Sequence, residues 1–133
     1  MIGVVVATHG KLAEEMIRTA EAVVGPLELV VPVSVVGTSP DPRGDLNAAI
    51  QRVDQGEGVL LLTDLLGGSP TNLCVPLLQE RKVEVVTGVN LPMLLKLSSL
   101  RASGRGIGEI AREIAEAGQR SIELVSESLR RMC

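Results

Sequence analysis

The chain has 133 residues, a formal net charge of −3 and 45% hydrophobic residues, with no Phe, Tyr or Trp. This length favours one domain, and a mean hydropathy of +0.31 excludes a disordered tail. The lack of aromatic residues excludes nucleic-acid binding by base stacking, and the acidic balance argues against a phosphate-backbone binder. A single histidine, His9, excludes a metal site built from several histidines, so we expect no metal and no cofactor.

The N-terminal segment and the two cysteines indicate the compartment. The first residues have neither the basic region nor the cleavage site of a signal peptide, and no apolar run approaches the roughly 18 residues of a membrane span. Cys74 and Cys133 lack the spacing of a disulfide framework, so we expect a buried helical thiol and a free terminal thiol. The sequence therefore predicts a cytoplasmic protein.

Apolar runs of strand length alternate with helical stripes along the chain. The predicted elements, in chain order, are a strand at 2–7, a helix at 12–24, a strand at 29–36, a helix at 46–53, a strand at 59–63, a helix from Ser69-Pro70, a strand at 83–87, a helix at 90–100 and a helix at 107–114. In the third helix we expect Ser69 to be the N-cap and Pro70 the first helical residue.

The predicted strands are apolar on both faces, which is typical of a parallel sheet with helices on either side. We predict one three-layer α/β domain over residues 1–133, with a mainly parallel open sheet in the order 2-1-3-4. Residues 1–118 form its core and residues 119–133 a C-terminal arm. The arm is ambiguous, because Ile122 and Leu124 alternate like an edge strand while Glu123, Glu127 and Arg131 are spaced like a helix face.

Polar or glycine-rich segments follow all four predicted strands, at residues 8–10, 38–39, 64–70 and 88–90. The carboxyl ends of parallel strands meet at one sheet edge, where open α/β sheets bind their ligands. There a neutral imidazole such as that of His9 is a nucleophile for a transient phosphate, and a carboxylate such as Asp64 orients the ring. The candidate groups for holding the phosphoryl oxygens are Thr8, Gly10, Thr38, Gly67, Gly68 and Ser69.

Each of these features also has a purely structural interpretation. His9 is then a surface or capping residue, Asp64 a turn residue, residues 67–70 a tight turn with an N-cap, and residues 38–40 a loop. Convergence of the four segments at one edge favours the chemical interpretation.

Three motifs occur in the order and spacing of a known family: Ala-Thr-His-Gly at 7–10, Asp-Leu-Leu-Gly-Gly-Ser-Pro at 64–70 and Gly-Val-Asn-Leu-Pro-Met-Leu at 88–94. Up to about Gly118 the chain resembles the enzyme IIA domain of the mannose-type sugar phosphotransferase system. The resemblance implies that His9 accepts a phosphoryl group from the phosphohistidine of HPr and donates it to a histidine of enzyme IIB. It also implies that Asp64 partners His9 and that Ser69 helps to hold the phosphoryl group.

The resemblance further implies a homodimer in which a C-terminal antiparallel edge strand crosses to the partner subunit, with residues 120–125 as the candidate strand. Relatives often carry an aromatic residue where this chain has Leu66, so the surface for HPr and enzyme IIB is expected to be aliphatic. We assign that surface to Leu65, Leu66, Asn90 and Pro92.

Many relatives continue into a IIB domain, whereas this sequence ends at Cys133, so we expect a free-standing IIA. The alternative to sugar uptake is a regulatory IIA whose phosphorylation state controls partner proteins. Contact with the membrane is expected only through permease subunits.

Other protein classes fit the motifs less well. A histidine phosphatase needs an arginine before its histidine and a second histidine, but Thr8 precedes His9 here and no second histidine exists. A receiver domain needs acidic residues after the first strand, and residues 1–11 contain none. The phosphocarrier subunit of dihydroxyacetone kinase lacks the Gly-Gly-Ser-Pro motif. A non-catalytic module is disfavoured because His9, Asp64 and Ser69 are all present.

Overall fold

The computed structural model describes residues 1–36 and 39–132. Thr38 and Cys133, both singled out in the sequence, lie outside the described residues. The elements, in chain order, are β1 (Gly3–His9), α1 (Leu12–Val24), β2 (Val30–Val36), α2 (Pro42–Val53), β3 (Val59–Thr63), α3 (Ser69–Cys74), a 3₁₀ helix (Val75–Gln79), β4 (Val83–Val86), α4 (Leu91–Arg101), α5 (Ile107–Arg120) and α6 (Val125–Met132).

Within the described ranges, four strands form one parallel sheet in the order β2-β1-β3-β4, which confirms the predicted fold. The central strand β1 pairs with β2 on one side and β3 on the other, so that Val5 lies opposite Val31 and Leu61. The register with β2 shifts between Thr8 and His9, where β1 ends. This irregularity lies at the candidate nucleophile.

Side chains alternate across the strands and build two aliphatic layers, because β1 and β3 are buried on both faces. Val4 and Val6 of β1 pack with α1, α4 and α5 on one face. Val5 and Ala7 pack with α2, α3 and the 3₁₀ helix on the other. The sequence of the strands is therefore sufficient to place helices on both faces.

Two local predictions were wrong. The N-cap of α3 is Gly68, with Ser69 as the first helical residue and Pro70 as the second, so the Ser69 hydroxyl is not the cap. The candidate edge strand at 120–125 is not formed in this single chain: Arg120 is the last residue of α5, Val125 is the first of α6, and residues 122–124 belong to no strand. Strand exchange between two subunits stays a prediction.

The other predicted strands and helices are present, but α2 begins earlier than predicted, at Pro42, and α5 extends beyond residue 114 to Arg120. Asn90 caps α4, as expected from its position before the apolar stripe. Cys74 lies in α3 and is fully buried, and burial raises the pKa of its thiol to about 12, so it is no nucleophile near neutral pH. None of the helices in the described part of the chain is long and apolar enough to cross a membrane.

Candidate functional site

The centre of the candidate site is a contact between His9 and Asp64. The Nδ1 atom of the His9 ring lies 2.7 Å from Oδ2 of Asp64, and the same oxygen accepts the backbone N–H of His9 at 2.9 Å. The other oxygen, Oδ1, accepts the backbone N–H of Leu65 at 3.0 Å. Both carboxylate oxygens are thus held, and the ring is bound through Nδ1. The sequence predicted this pair from the adjacency of β1 and β3.

Asp64 is kept ionised by these contacts. Burial opposes the charged form, but the hydrogen bonds from the His9 backbone and ring, the charge of His9 and the N–H next to Asp64 outweigh it, so the pKa of Asp64 lies below its ordinary value. The carboxylate side chain is only 9% exposed, whereas the His9 side chain is 41% exposed. An ionised acceptor on the inner side of the half-exposed ring favours the tautomer with its proton on Nδ1, and Nε2 lies on the other side of the ring.

The loop after β3 carries glycine where the ring needs space. A Cβ at Gly68 would lie 3.0 Å from Cε1 of His9 and 3.2 Å from Cδ1 of Leu65. Gly67 has a φ of +82°, a left-handed conformation that glycine adopts without strain. The two glycines therefore let the loop turn sharply and pass directly against the imidazole.

Thr8 does not have the predicted role. Its side chain is fully buried, and its Oγ1 accepts the backbone N–H of Ala13 at 2.8 Å. Lys11, the N-cap of α1, makes no side-chain cap bond, so Thr8 supplies this contact from the end of β1. A buried hydroxyl that is already engaged with α1 cannot meet a phosphoryl group at the ring, and Thr8 is corrected to an anchor for α1.

The other predicted phosphate ligands lie in the loops around the ring. Gly10 is exposed and has a φ of +53° in the turn from β1 to α1. Ser69 is exposed, and its hydroxyl makes no hydrogen bond to the described residues. Gly67, Gly68 and Ser69 follow Asp64 directly, so this segment is shared by the carboxylate and the ring.

The predicted partner surface divides into two parts. Leu65 and Leu66 are 51% and 78% exposed beside Asp64. Asn90 is instead used structurally, because its Oδ1 accepts the N–H of Met93 and its Nδ2 donates to the carbonyl of Gly118. Pro92 is half-buried in the first turn of α4. Of the four predicted residues, Leu65 and Leu66 are therefore the two that are exposed beside Asp64.

Sequence reasoning missed Thr63 and Thr71, which are buried behind the Asp64 loop and in hydrogen-bond contact with each other. The two threonines are eight residues apart, and the sequence does not show the path of the turn between them, so no pattern indicated that they are in contact.

In residues 1–36 and 39–132, no three His, Cys, Asp or Glu side chains are grouped as metal ligands. The chemistry that the arrangement supports is nucleophilic attack by an imidazole nitrogen.

The fold and the site together define a class: a parallel α/β domain whose histidine, at the carboxyl end of the first strand, is held by the aspartate that follows the third.

Comparisons with known proteins agree with this class. The chain is 32% identical over 125 residues to the mannose-specific EIIAB component of the phosphotransferase system (PTS) of Escherichia coli K12, covering 92% of this chain and 39% of that protein. A PTS IIA protein associated with the fucose utilization operon of Streptococcus pneumoniae superposes with a TM-score of 0.80 and 30% identity, covering 96% of this chain and 95% of that one. Component EIIA of Streptococcus agalactiae gives a TM-score of 0.82 and 28% identity, covering 96% and 99% of the two chains.

The family model described as PTS system fructose IIA component matches residues 3–122, and the chain belongs to this family. Its members are IIA components of sugar phosphotransferase systems. The resemblance read from the three motifs is thereby confirmed. The chain spans about two-fifths of the length of the E. coli relative.

Proposed function

We propose that this chain is a phosphohistidine carrier that accepts a phosphoryl group on Nε2 of His9. The observation that carries the proposal is the double contact of Asp64 Oδ2 with the ring nitrogen Nδ1, at 2.7 Å, and with the backbone N–H of His9, at 2.9 Å. Because Nδ1 is engaged and the ring is half-exposed, Nε2 is the nitrogen available to a phosphoryl donor. It has no hydrogen-bond partner among the described residues.

The transfer is a displacement between two imidazoles. The Nε2 lone pair forms a bond to phosphorus while the P–N bond of the donor phosphohistidine breaks, and the donor imidazole leaves with that electron pair. Positive charge develops on the His9 ring, and the ionised Asp64 facing Nδ1 stabilises it. Transfer to the acceptor reverses these steps: the acceptor nucleophile forms a bond to phosphorus, the Nε2–P bond breaks, and its electron pair returns to the His9 ring.

The loop after β3 supplies the groups for the phosphoryl oxygens in this proposal. Ser69 has a hydroxyl that does not cap α3, and Gly68 brings the backbone against Cε1 of His9, next to Nε2. Hydroxyl and backbone N–H groups bind phosphoryl oxygens as hydrogen-bond donors. We assign the hydroxyl of Ser69 and the backbone of Gly67 and Gly68 to this role, together with the backbone of Gly10 in the turn after β1.

HPr is the proposed donor and enzyme IIB the proposed acceptor, and the exchange takes place in the cytoplasm. Leu65 and Leu66, exposed beside the nucleophile, form the surface on which both partners dock in turn. An aliphatic patch of this kind excludes water from the reacting atoms when it is covered. No group in the mechanism requires a metal or an organic cofactor.

We also propose that the carrier is a homodimer assembled through residues 122–132 of its C-terminal arm. These residues expose their large apolar side chains, which are Ile122, Leu124, Val125, Leu129 and Met132. In α6 no residue is buried, and β4 is an edge strand of the sheet formed by the described residues. A second copy that covers the arm, with residues 121–124 lying along β4, removes both exposures.

The carrier proposal is tested by incubating the protein with phosphoenolpyruvate, enzyme I and HPr, followed by intact-mass measurement. The wild type is expected to gain one phosphoryl group that is lost in acid and retained in alkali. His9→Gln is expected to gain none. A wild type that stays unmodified overturns the carrier proposal, and a gain that persists in His9→Gln overturns the site.

A further inference from the structure

The buried polar residues in the described part of the chain are three threonines, Thr8, Thr63 and Thr71. The other buried side chains there are apolar, and most of them belong to the two core layers. Buried hydroxyls are costly unless they are hydrogen-bonded, so each needs a structural reason. Thr8 anchors α1 through Ala13, which leaves Thr63 and Thr71 to be explained.

Thr63 and Thr71 are linked in a directed chain of hydrogen bonds. The hydroxyl of Thr71 donates to the carbonyl of Leu65 at 2.8 Å. The two hydroxyl oxygens lie 2.6 Å apart. A hydroxyl has one proton, and that of Thr71 is used on Leu65, so Thr63 must be the donor to Thr71. The order is therefore Thr63 to Thr71 to the Leu65 carbonyl.

This chain of bonds brackets Asp64. Thr63 precedes the aspartate at the end of β3, Leu65 follows it, and both are tied to the same hydroxyl of α3. The N–H of Leu65 in turn binds Oδ1 of Asp64 at 3.0 Å. Both sides of the aspartate backbone, and one of its carboxylate oxygens, are thus positioned by groups that the threonine pair holds.

We infer that Thr63 and Thr71 are positioning residues that aim the Asp64 carboxylate at Nδ1 of His9 and so set the tautomer of the nucleophile. They touch neither the ring nor the phosphoryl group. We call the chain of hydrogen bonds from Thr63 through Thr71 to the Leu65 carbonyl the relay. When the relay is removed, residues 64–65 are free to tilt, and the distance of 2.7 Å between Asp64 Oδ2 and His9 Nδ1 increases. The inference rests on the proposed function for its effect on rate, but its effect on the ring needs no phosphoryl donor.

The test uses Thr71→Val, which keeps the shape and removes both bonds, Thr63→Val, which removes only the donor to Thr71, and Thr71→Ser, which keeps the hydroxyl. The first readout is the long-range ¹H–¹⁵N spectrum of the His9 ring in the unphosphorylated protein. The wild type is expected to show the Nδ1-protonated tautomer, and Thr71→Val a mixture of both tautomers. Thr71→Ser is expected to restore the wild-type pattern.

The second readout is phosphoryl transfer from HPr. Thr71→Val is expected to lower kcat about tenfold with an unchanged KM for the donor, since ring alignment is lost and the docking surface is intact. Ile50→Val is the control for general destabilisation, because it trims a fully buried side chain of α2 in the core layer. It is expected to leave both the ring spectrum and kcat unchanged.

The outcomes separate the two proposals. A His9 ring spectrum and a kcat that match the wild type in Thr71→Val and Thr63→Val overturn the relay, as does an equal loss in Ile50→Val. If Thr71→Val does not fold, Thr63→Val decides the question alone. If the wild type takes no phosphate while the threonine variants still change the tautomer, the relay stands and the carrier function falls.

Discussion

The His9 ring is fixed by contacts on two sides. Asp64 Oδ2 lies 2.7 Å from Nδ1 on the inner side of the ring, and Gly68 lies on the side of Cε1, where a Cβ would come within 3.0 Å of that atom. Reactivity at Nε2 depends on both, since a ring that rotates away from the carboxylate loses its defined tautomer and its charge partner. In the proposed carrier His9 is the group that reacts, so small displacements of its ring are expected to change the transfer rate.

Gly68→Ala tests the seat of the ring. The backbone at Gly68 has φ −83° and ψ 166°, which alanine adopts without strain, but its Cβ would lie 3.0 Å from Cε1 of His9. We expect the ring to be displaced and the transfer rate to fall about tenfold, with little change in the urea midpoint. Gly106→Ala is a matched control, because Gly106 is also an N-cap, with φ −75° and ψ 166°, and a Cβ there meets nothing within 4 Å. Equal rates in the two variants would contradict the proposed seat.

Asp64→Asn tests the charge. The pKa of Asp64 is lower in the folded chain than in the unfolded chain. At a pH between these two pKa values, the unfolded state therefore binds more protons than the folded state. The contribution of the carboxylate is therefore complete above the unfolded value of about 3.9 and is lost as the pH drops below it. In urea titrations we expect the wild type to be more stable than Asp64→Asn near neutral pH and this advantage to shrink below about pH 4. A difference that does not vary with pH would refute this account.

At the scale of elements, the site is made where loops leave the carboxyl ends of β1 and β3, and helices α1 and α3 hold those loops. Asn90 links α4 and α5 in a similar way. Its Oδ1 caps α4 through the N–H of Met93, and its Nδ2 donates to the carbonyl of Gly118 at 3.2 Å. A Cβ at Gly118 would collide with Met93, so the two helices meet closely at this point.

Asn90→Ala removes the cap and the link between the helices, and we expect a loss of about 1–2 kcal/mol in the free energy of unfolding. Asn90→Asp keeps the capping oxygen and removes the donor to Gly118, so it should lie between the wild type and the alanine variant. Asp41→Ala is the comparison for a cap alone, because Asp41 caps α2 through Gly44 on an exposed surface. Chemical denaturation measures all three, and an Asn90→Ala loss no greater than that of Asp41→Ala counts against the link.

The sequence predicted the elements well because their signals are local. Doubly apolar strands such as residues 59–63 predict a buried parallel sheet, and the stripe from Leu12 predicts α1. The His9–Asp64 pair followed from the sheet order, since the ends of neighbouring strands must meet. The role of Thr8 was not predictable, because strand alternation alone does not say which side chain turns inward at the register shift.

Other features depend on tertiary structure that no local pattern encodes. The sequence predicted Ser69 as the N-cap of α3, whereas the structure has Gly68 there. Proline is tolerated throughout the first turn of a helix, so Pro70 alone did not fix the first helical residue. Thr63 and Thr71 are brought together only by the path of residues 64–70. The arm was ambiguous in the sequence, and α6 resolves only its final part.

For the molecule as a whole, the aliphatic core and the C-terminal arm differ in how far their apolar side chains are buried. Residues 1–118 contain both buried layers, whereas α6 buries nothing and keeps its apolar side chains exposed. An exposed apolar segment at the end of a well-packed domain is typical of an interface. The proposed dimer places that segment against a second copy, and the stability of the assembly then depends on protein concentration.

The paired substitution of Ile122 and Leu124 by serine tests the dimer. We expect light scattering to report the mass of one chain for this variant and of two chains for the wild type. The melting temperature of the wild type should rise with protein concentration, and that of the variant should not. Glu123→Ser, between the two positions, is the control and should remain dimeric. A monomeric wild type, or a variant that still dimerises, contradicts the role of the arm.

The central claim is that His9 carries the phosphoryl group on Nε2 while Asp64 keeps the proton on Nδ1. A long-range ¹H–¹⁵N spectrum of the protein, recorded after phosphorylation by phosphoenolpyruvate, enzyme I and HPr, tests it most directly. We expect phosphorus coupling on Nε2 and a protonated Nδ1, and we expect the sharp signal of the Nδ1 proton to be lost in Asp64→Asn. Phosphorus bound to Nδ1, or a His9 ring without phosphorus in a phosphorylated protein, would contradict this assignment.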